Sequence, residues 1–203
     1  MKHLFKISLC ALAFTIGANN GFAQSGETGL KDAYKDYFSI GVAVNMRNIA
    51  NPEQIAIIKK DFNSITAEND MKPQPTEPAY GQFNWENADK IANFCRSNGI
   101  KLRGHCLMWH AQIGEWMYKD EKGNLVSKEK LFQNMKHHIT AIVERYKDVI
   151  YAWDVVNEAI SDGGWQGGRR GMGEQPSPYR NSPLYQIAGD EFIKKAFIYA
   201  REA

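Results

Sequence analysis

Cysteine is scarce in this sequence, with three in 203 residues, so the fold is not a disulfide scaffold. No Lys/Arg run exists and the formal charge is only +2, which leaves no argument for a nucleic-acid partner or an anionic surface. No apolar run approaches the roughly 20 residues that a spanning helix needs. The first candidate strand is not followed by a glycine-rich phosphate fingerprint, so a dinucleotide cofactor has no place to sit. The histidines offer no convincing metal spacing. His105 and His110 are five apart with no carboxylate near them in sequence, and adjacent His137 and His138 should point in different directions from one helix. No cofactor and no metal are expected.

What remains is ordinary globular composition, 43% hydrophobic and 24% charged. The N-terminus is distinctive. Lys2, His3 and Lys6 precede an apolar run over residues 7–16, and Gly21-Phe22-Ala23 supplies small residues at a cleavage position. Residues 1–23 therefore read as a signal peptide, with the mature chain starting at Gln24, secreted or periplasmic and outside the membrane after cleavage. Cys10 follows bulky Leu9 inside the apolar core, which argues against a lipid anchor there. The mature cysteines, Cys95 and Cys106, fall on the apolar face of a helix and inside a strand, and read as small buried hydrophobes.

Residues 24–203 alternate strand and helix patterns four times. Strands are expected at residues 38–44, 62–67, 101–108 and 149–156. Asn51-Pro52-Glu53 opens the first helix with a cap, a first-turn proline and a favourable acid, and Ile55, Ile58 and Phe62 should face inward. A proline-rich loop (Pro73, Pro75, Pro78) leads to a helix over residues 86–97, stopped by Gly99. Ser127 caps a third helix, with Leu131, Met135, Ile139, Ile142, Val143 and Tyr146 in one stripe. After a glycine-rich loop at 162–173, Ser182-Pro183 opens a fourth helix with Phe192, Ile193, Ala196, Phe197 and Ala200 inward.

Strands alternating with helices imply a parallel α/β sheet, either doubly wound or a barrel. The polar residues decide. Strands two, three and four each end in large polar or aromatic groups: Glu68-Asn69, His105 to His110, and Asn157-Glu158. Functional groups contributed by successive strand ends are the habit of the (β/α)8 TIM barrel, of which four βα units are present.

Glu158 is the leading candidate. A carboxyl at the mouth of a barrel, partly desolvated, is suited to protonate a leaving group, against the plainer reading of a salt-bridged structural glutamate. Adjacent Asn157 can donate to a sugar hydroxyl. Asp154, earlier in the strand, should be structural and paired to a basic neighbour. Glu68, Asn69 and Lys72 offer donors and acceptors for hydroxyl pairs, Trp109 an apolar face for a pyranose ring, and His105 and Gln112 hydrogen bonds.

RGHCLMWHAQ (residues 103–112) and WDVVNEA (153–159) closely resemble the third- and fourth-strand signatures of glycoside hydrolase family 10, the retaining endo-β-1,4-xylanases. AENDMK with TEPAYGQFNWENAD looks like its second-strand segment, and YQIAGDEFIKKAFIYAREA resembles its fourth helix. The resemblance implies a (β/α)8 barrel acting on xylan or xylo-oligosaccharides. It implies Glu158 as acid/base and proton donor, and Asn157 at the cleavage point. Glu68, Asn69, Lys72, His105, Trp109 and Gln112 would line the sugar subsites on the non-reducing side. Pro73 departs from the pattern, since many members carry Trp after the lysine, and this bears on subsite preference.

A retaining glycosidase needs a second carboxylate about 5–5.5 Å from the first. In the family this nucleophile ends the seventh strand in a Thr-Glu-Leu-Asp-like run, and no such run occurs here. The expectation is a chain holding the N-terminal half of the barrel, without its nucleophile and inactive alone until joined by the C-terminal half. The alternative is a half-barrel that acts at most as a weak carbohydrate-binding fragment.

Overall fold

The structure is a computed structural model that describes residues 28–161 and 178–203. The expected signal peptide and the glycine-rich loop lie outside these residues. A single helical turn, α1 (Leu30–Ala33), precedes β1 (Gly41–Val44); α2 (Pro52–Asp61) then leads to β2 (Ser64–Ala67). The short α3 (Pro73–Thr76) and the longer α4 (Glu86–Asn98) connect to β3 (Lys101–Trp109), and α5 (Lys128–Tyr146) connects to β4 (Ile150–Asn157). Two helices follow, α6 (Pro183–Ala188) and α7 (Glu191–Glu202).

The four strands form one parallel sheet in the order β1-β2-β3-β4. A doubly wound sheet reverses its strand order at a switch point. Here each strand is laid beside the last, as in the wall of a barrel. The strand ends carrying the polar residues therefore share one rim.

Local chemistry sets the helix ends. The Asn51 side chain accepts from the amides of Glu53 and Gln54, and the Ser127 side chain from that of Lys130. Gly99 closes α4 at φ +62°, a left-handed conformation that suits a residue without a Cβ. Ile65, Leu102 and Leu107 from the strands, Ile91 and Cys95 from α4, and the predicted stripe of α5 from Leu131 to Tyr146 are all buried. Each large aliphatic side chain removed from water in this layer contributes roughly 1.5–3 kcal/mol. Cys95 and Cys106 are buried, unpaired thiols.

Several boundaries differ from expectation. The first strand is shorter, because Phe38 is 57% exposed and stacks on Tyr34 instead of entering the sheet. Phe62 ends α2, its amide donating to the Ile58 carbonyl, so β2 starts at Ser64. Of the predicted inward residues of α2 only Ile58 is fully buried. The proline-rich loop contains α3, with Pro73 in the first helical turn. The last helix is divided, because Gly189 at φ +59° ends α6. Phe192 and Ala196 of α7 are buried as predicted, but Phe197 is 55% exposed. It sits one residue beyond Ala196, where the helix has already turned its face away.

Candidate active site

The site grows from four strand ends. β3 and β4 run in register from His105 opposite Asp154 to Trp109 opposite Asn157, with one extra residue in β3 between His105 and Met108. Such bulges re-aim side chains beside sites. β3 can approach β4 closely because residue 104 is glycine; a Cβ there would lie 2.1 Å from the ring of Trp153.

Glu158 follows the last residue of β4. Consecutive strand residues face opposite sides, so Asn157 and Glu158 should diverge. Glu158 departs from that alternation, with φ +52°. That left-handed turn costs an L residue roughly 1–2 kcal/mol and breaks the alternation. Both residues border one small cavity of about 10 Å³, shared with Trp109, His110, Ser182 and Phe192. Trp109 Nε1 donates to Glu158 Oε2 at 2.9 Å, while His110 Nε2 stands 4.0 Å from the same oxygen. The carboxyl keeps 45% of its side-chain exposure and so is open to a ligand.

On the rim of β2, Lys72 is buried, donates to Asn69 Oδ1 at 2.9 Å and lies over the Trp109 ring, 4.6 Å from its centroid. A cation held against an indole face supports both partners. Asn69, Lys72, Trp109 and Glu158 thus form one continuous chain of contacts. Glu68 stands apart from it, accepting from Asn45 Nδ2 at 2.9 Å.

Asn45 was not anticipated from sequence. Its Oδ1 accepts the amides of Arg47 and Asn48, which leaves its NH2 facing Glu68. The signal was available: Asn45 is the polar residue directly after β1, in the strand-end position that flagged the other three.

His105 and Gln112 are placed differently. His105 Nδ1 lies 3.0 Å from Asp154 Oδ2, and Asp154 also receives Arg103 through two hydrogen bonds. Asp154 is therefore the expected structural carboxylate, and it fixes the His105 ring. Burial acts to raise its pKa, but the hydrogen bonds from Arg103 and His105 outweigh this and hold it below the ordinary carboxylate range. Gln112 lies in the loop after β3, its carbonyl accepting the Gln74 amide, so the turn bearing Lys72 and the loop bearing Gln112 are joined through main chain. Pro73, the residue at the family's tryptophan position, is buried at the start of α3.

His137 and His138 share a partner that their spacing does not reveal. Adjacent on α5, both reach one carboxylate: His137 Nε2 lies 3.0 Å from Glu77 Oε1 and His138 Nδ1 2.7 Å from Oε2. The carboxylate of Glu77 sits between the two diverging rings and bridges them. Among the described residues, no group of three or more His, Cys, Asp or Glu is arranged to hold a metal ion. No described helix is long and apolar enough to cross a membrane.

Comparison with known proteins gives the same outline. The profile of Glycosyl hydrolase family 10 matches residues 29–203. An endo-1,4-beta-xylanase/feruloyl esterase of Xylanibacter ruminicola is 52% identical, over all of this chain and 28% of its own length. Endo-1,4-beta-xylanase A of a Caldicellulosiruptor species is 45% identical, over 86% of this chain and 25% of its own. Among solved structures, a psychrophilic glycoside hydrolase family 10 endo-beta-1,4-xylanase superposes with a TM-score of 0.78 at 68% identity, covering 86% of this chain and 52% of that one. The chain spans about half or less of the length of these relatives. With the family profile matching residues 29–203 and the strand order in agreement, the chain belongs to glycosyl hydrolase family 10.

Proposed function

We propose that this chain, within a complete eight-stranded barrel, supplies the acid/base side of a retaining endo-1,4-β-xylanase. The observation that carries the reading is the Glu158 carboxyl. It is swung to the rim by a left-handed backbone, held by Trp109 Nε1 at 2.9 Å, and still open to a ligand. In the first step Glu158 gives its proton to the glycosidic oxygen as that C–O bond breaks. A second carboxylate, from outside residues 1–203, forms the glycosyl ester. In the second step ionised Glu158 takes a proton from water, whose oxygen displaces that carboxylate. Asn157 contacts the sugar at the cleavage point. Trp109 and Lys72, with Glu68, Asn69, His105 and Gln112, bind the sugars on the non-reducing side. The xylanase relatives support xylan as substrate.

The test is product analysis on xylan. A complete barrel built on this chain should release xylo-oligosaccharides by internal cleavage, and residues 1–203 alone should release none. Turnover by residues 1–203 that vanishes in Glu158→Ala would place the second carboxylate inside this chain and overturn the division of labour. Export belongs to the same reading: the sequence pattern supports cleavage after Ala23, and the intact mass of the product tests it. A retained N-terminus, or a lipid mass on Cys10, would refute export by this route.

A further inference from the structure

Glu158 is the one non-glycine residue with a left-handed backbone among the described residues, and β4 has already ended at Asn157. Its carbonyl accepts from Arg180 Nε at 3.0 Å. Arg180 is itself firmly seated. Its amide donates to the Ala159 carbonyl at 2.8 Å, and the Ser161 amide to the Pro178 carbonyl at 2.8 Å. Tyr179 pairs antiparallel with Ile160. The Arg180 carbonyl accepts the amide of Ser182, a buried residue whose hydroxyl caps α6. Residues 178–180 therefore lie as a strap across 159–161, anchored to the start of a helix.

We propose that Arg180 is a positioning residue for Glu158. Its guanidinium holds the Glu158 carbonyl and so fixes the peptide that follows the left-handed residue. That orientation is what keeps the carboxyl beside Trp109 instead of letting residue 158 relax into an extended conformation and continue the strand alternation. The hydrogen bond from Arg180 to Glu158 is to main chain, so the part proposed for it is geometric. A planar Nε–H provides direction that a lysine ammonium lacks. This inference rests on Glu158 being the acid/base.

The experiment uses the complete barrel carrying Arg180→Gln or Arg180→Lys, with Glu158→Ala as reference. It compares kcat/KM for a xylo-oligosaccharide, whose leaving group needs a proton, with that for an aryl xylobioside whose leaving group does not. A displaced acid should lower the first on the order of 10²-fold and the second much less, with Arg180→Lys recovering only part of the loss. The ratio of the two losses is independent of how much protein is folded, and Arg180→Lys carries the test if Arg180→Gln does not fold. Equal losses on both substrates, with Glu158→Ala still selective, would show Arg180 to be structural and overturn the inference. If Glu158→Ala is itself unselective, the acid/base reading fails and the Arg180 role fails with it.

Discussion

Removing the carboxylate of Glu77 should be among the most damaging single changes to this half of the barrel. Glu77 is fully buried and accepts the Gly81 amide at 2.7 Å, with His137 and His138 on its two oxygens. Glu77→Ala leaves each of these partners without it. Gly81 is exposed and His137 is 32% exposed, so water can replace the lost bond at a cost of about 0.5–1.5 kcal/mol each. His138 is 1% exposed, and stranding its ring nitrogen costs about 1–3 kcal/mol more. The sum is about 2–6 kcal/mol, which brackets the roughly 3–5 kcal/mol found when one partner of a buried pair is removed. Glu77→Gln keeps one acceptor oxygen but presents an amide to the other partner, and should cost roughly half as much. The assay is urea unfolding of the complete barrel, reading midpoint and slope together. The Trp116 indole donates to the Glu77 main chain, so the loop carrying Lys72 should also loosen and raise KM for xylo-oligosaccharides. A Glu77→Ala loss under about 1 kcal/mol, the level of an ordinary surface change, would refute this reading of the hub.

Two further outcomes follow from charge and burial. The folded-state pKa of Asp154 lies below its ordinary 3.8, so its hydrogen bonds stabilise the fold above that value. That contribution is lost as pH falls through the lower folded value. Urea midpoints of wild type and Asp154→Asn should therefore differ near neutrality and begin to draw together only as pH falls below about 4; a constant difference would refute the linkage. Burial pushes the thiols of Cys95 and Cys106 up to about 12. Neither should react with an aromatic disulfide reagent at pH 8 until denaturant is added, and prompt labelling of the native protein would contradict their placement.

Much of this architecture was legible in the sequence, and the reason is local. Asn51, Ser127 and Gly99 act on backbone groups within a few residues, so their chemistry can be read without knowing the fold. The α5 stripe repeats within one helix and was recovered whole. Contacts between distant residues were less visible. Asn45 meets Glu68 across 23 positions, and Glu77 meets the two histidines across 60 and 61. The histidines illustrate the difficulty: spacing on a helix gives the direction each side chain leaves, not what lies between them. The divided last helix has a visible cause in Gly189, masked in the sequence by an apolar pattern that runs on through it. Glu158 was found from its place after a strand. Its left-handed backbone, which makes that place useful, has no local sequence signature, because glutamate carries no preference for it.

The role of Glu158 is tested most directly by adding azide to the Glu158→Ala variant of the complete barrel with an aryl xylobioside. Without a general base the glycosyl-enzyme ester should accumulate, because water attacks it slowly. Azide needs no base and fits where the carboxyl has been removed, so it should restore turnover and give the β-xylobiosyl azide, with configuration retained over two displacements. An α-azide would make Glu158 the nucleophile instead. No acceleration, with wild-type-like hydrolysis, would mean that Glu158 takes no part in the chemistry.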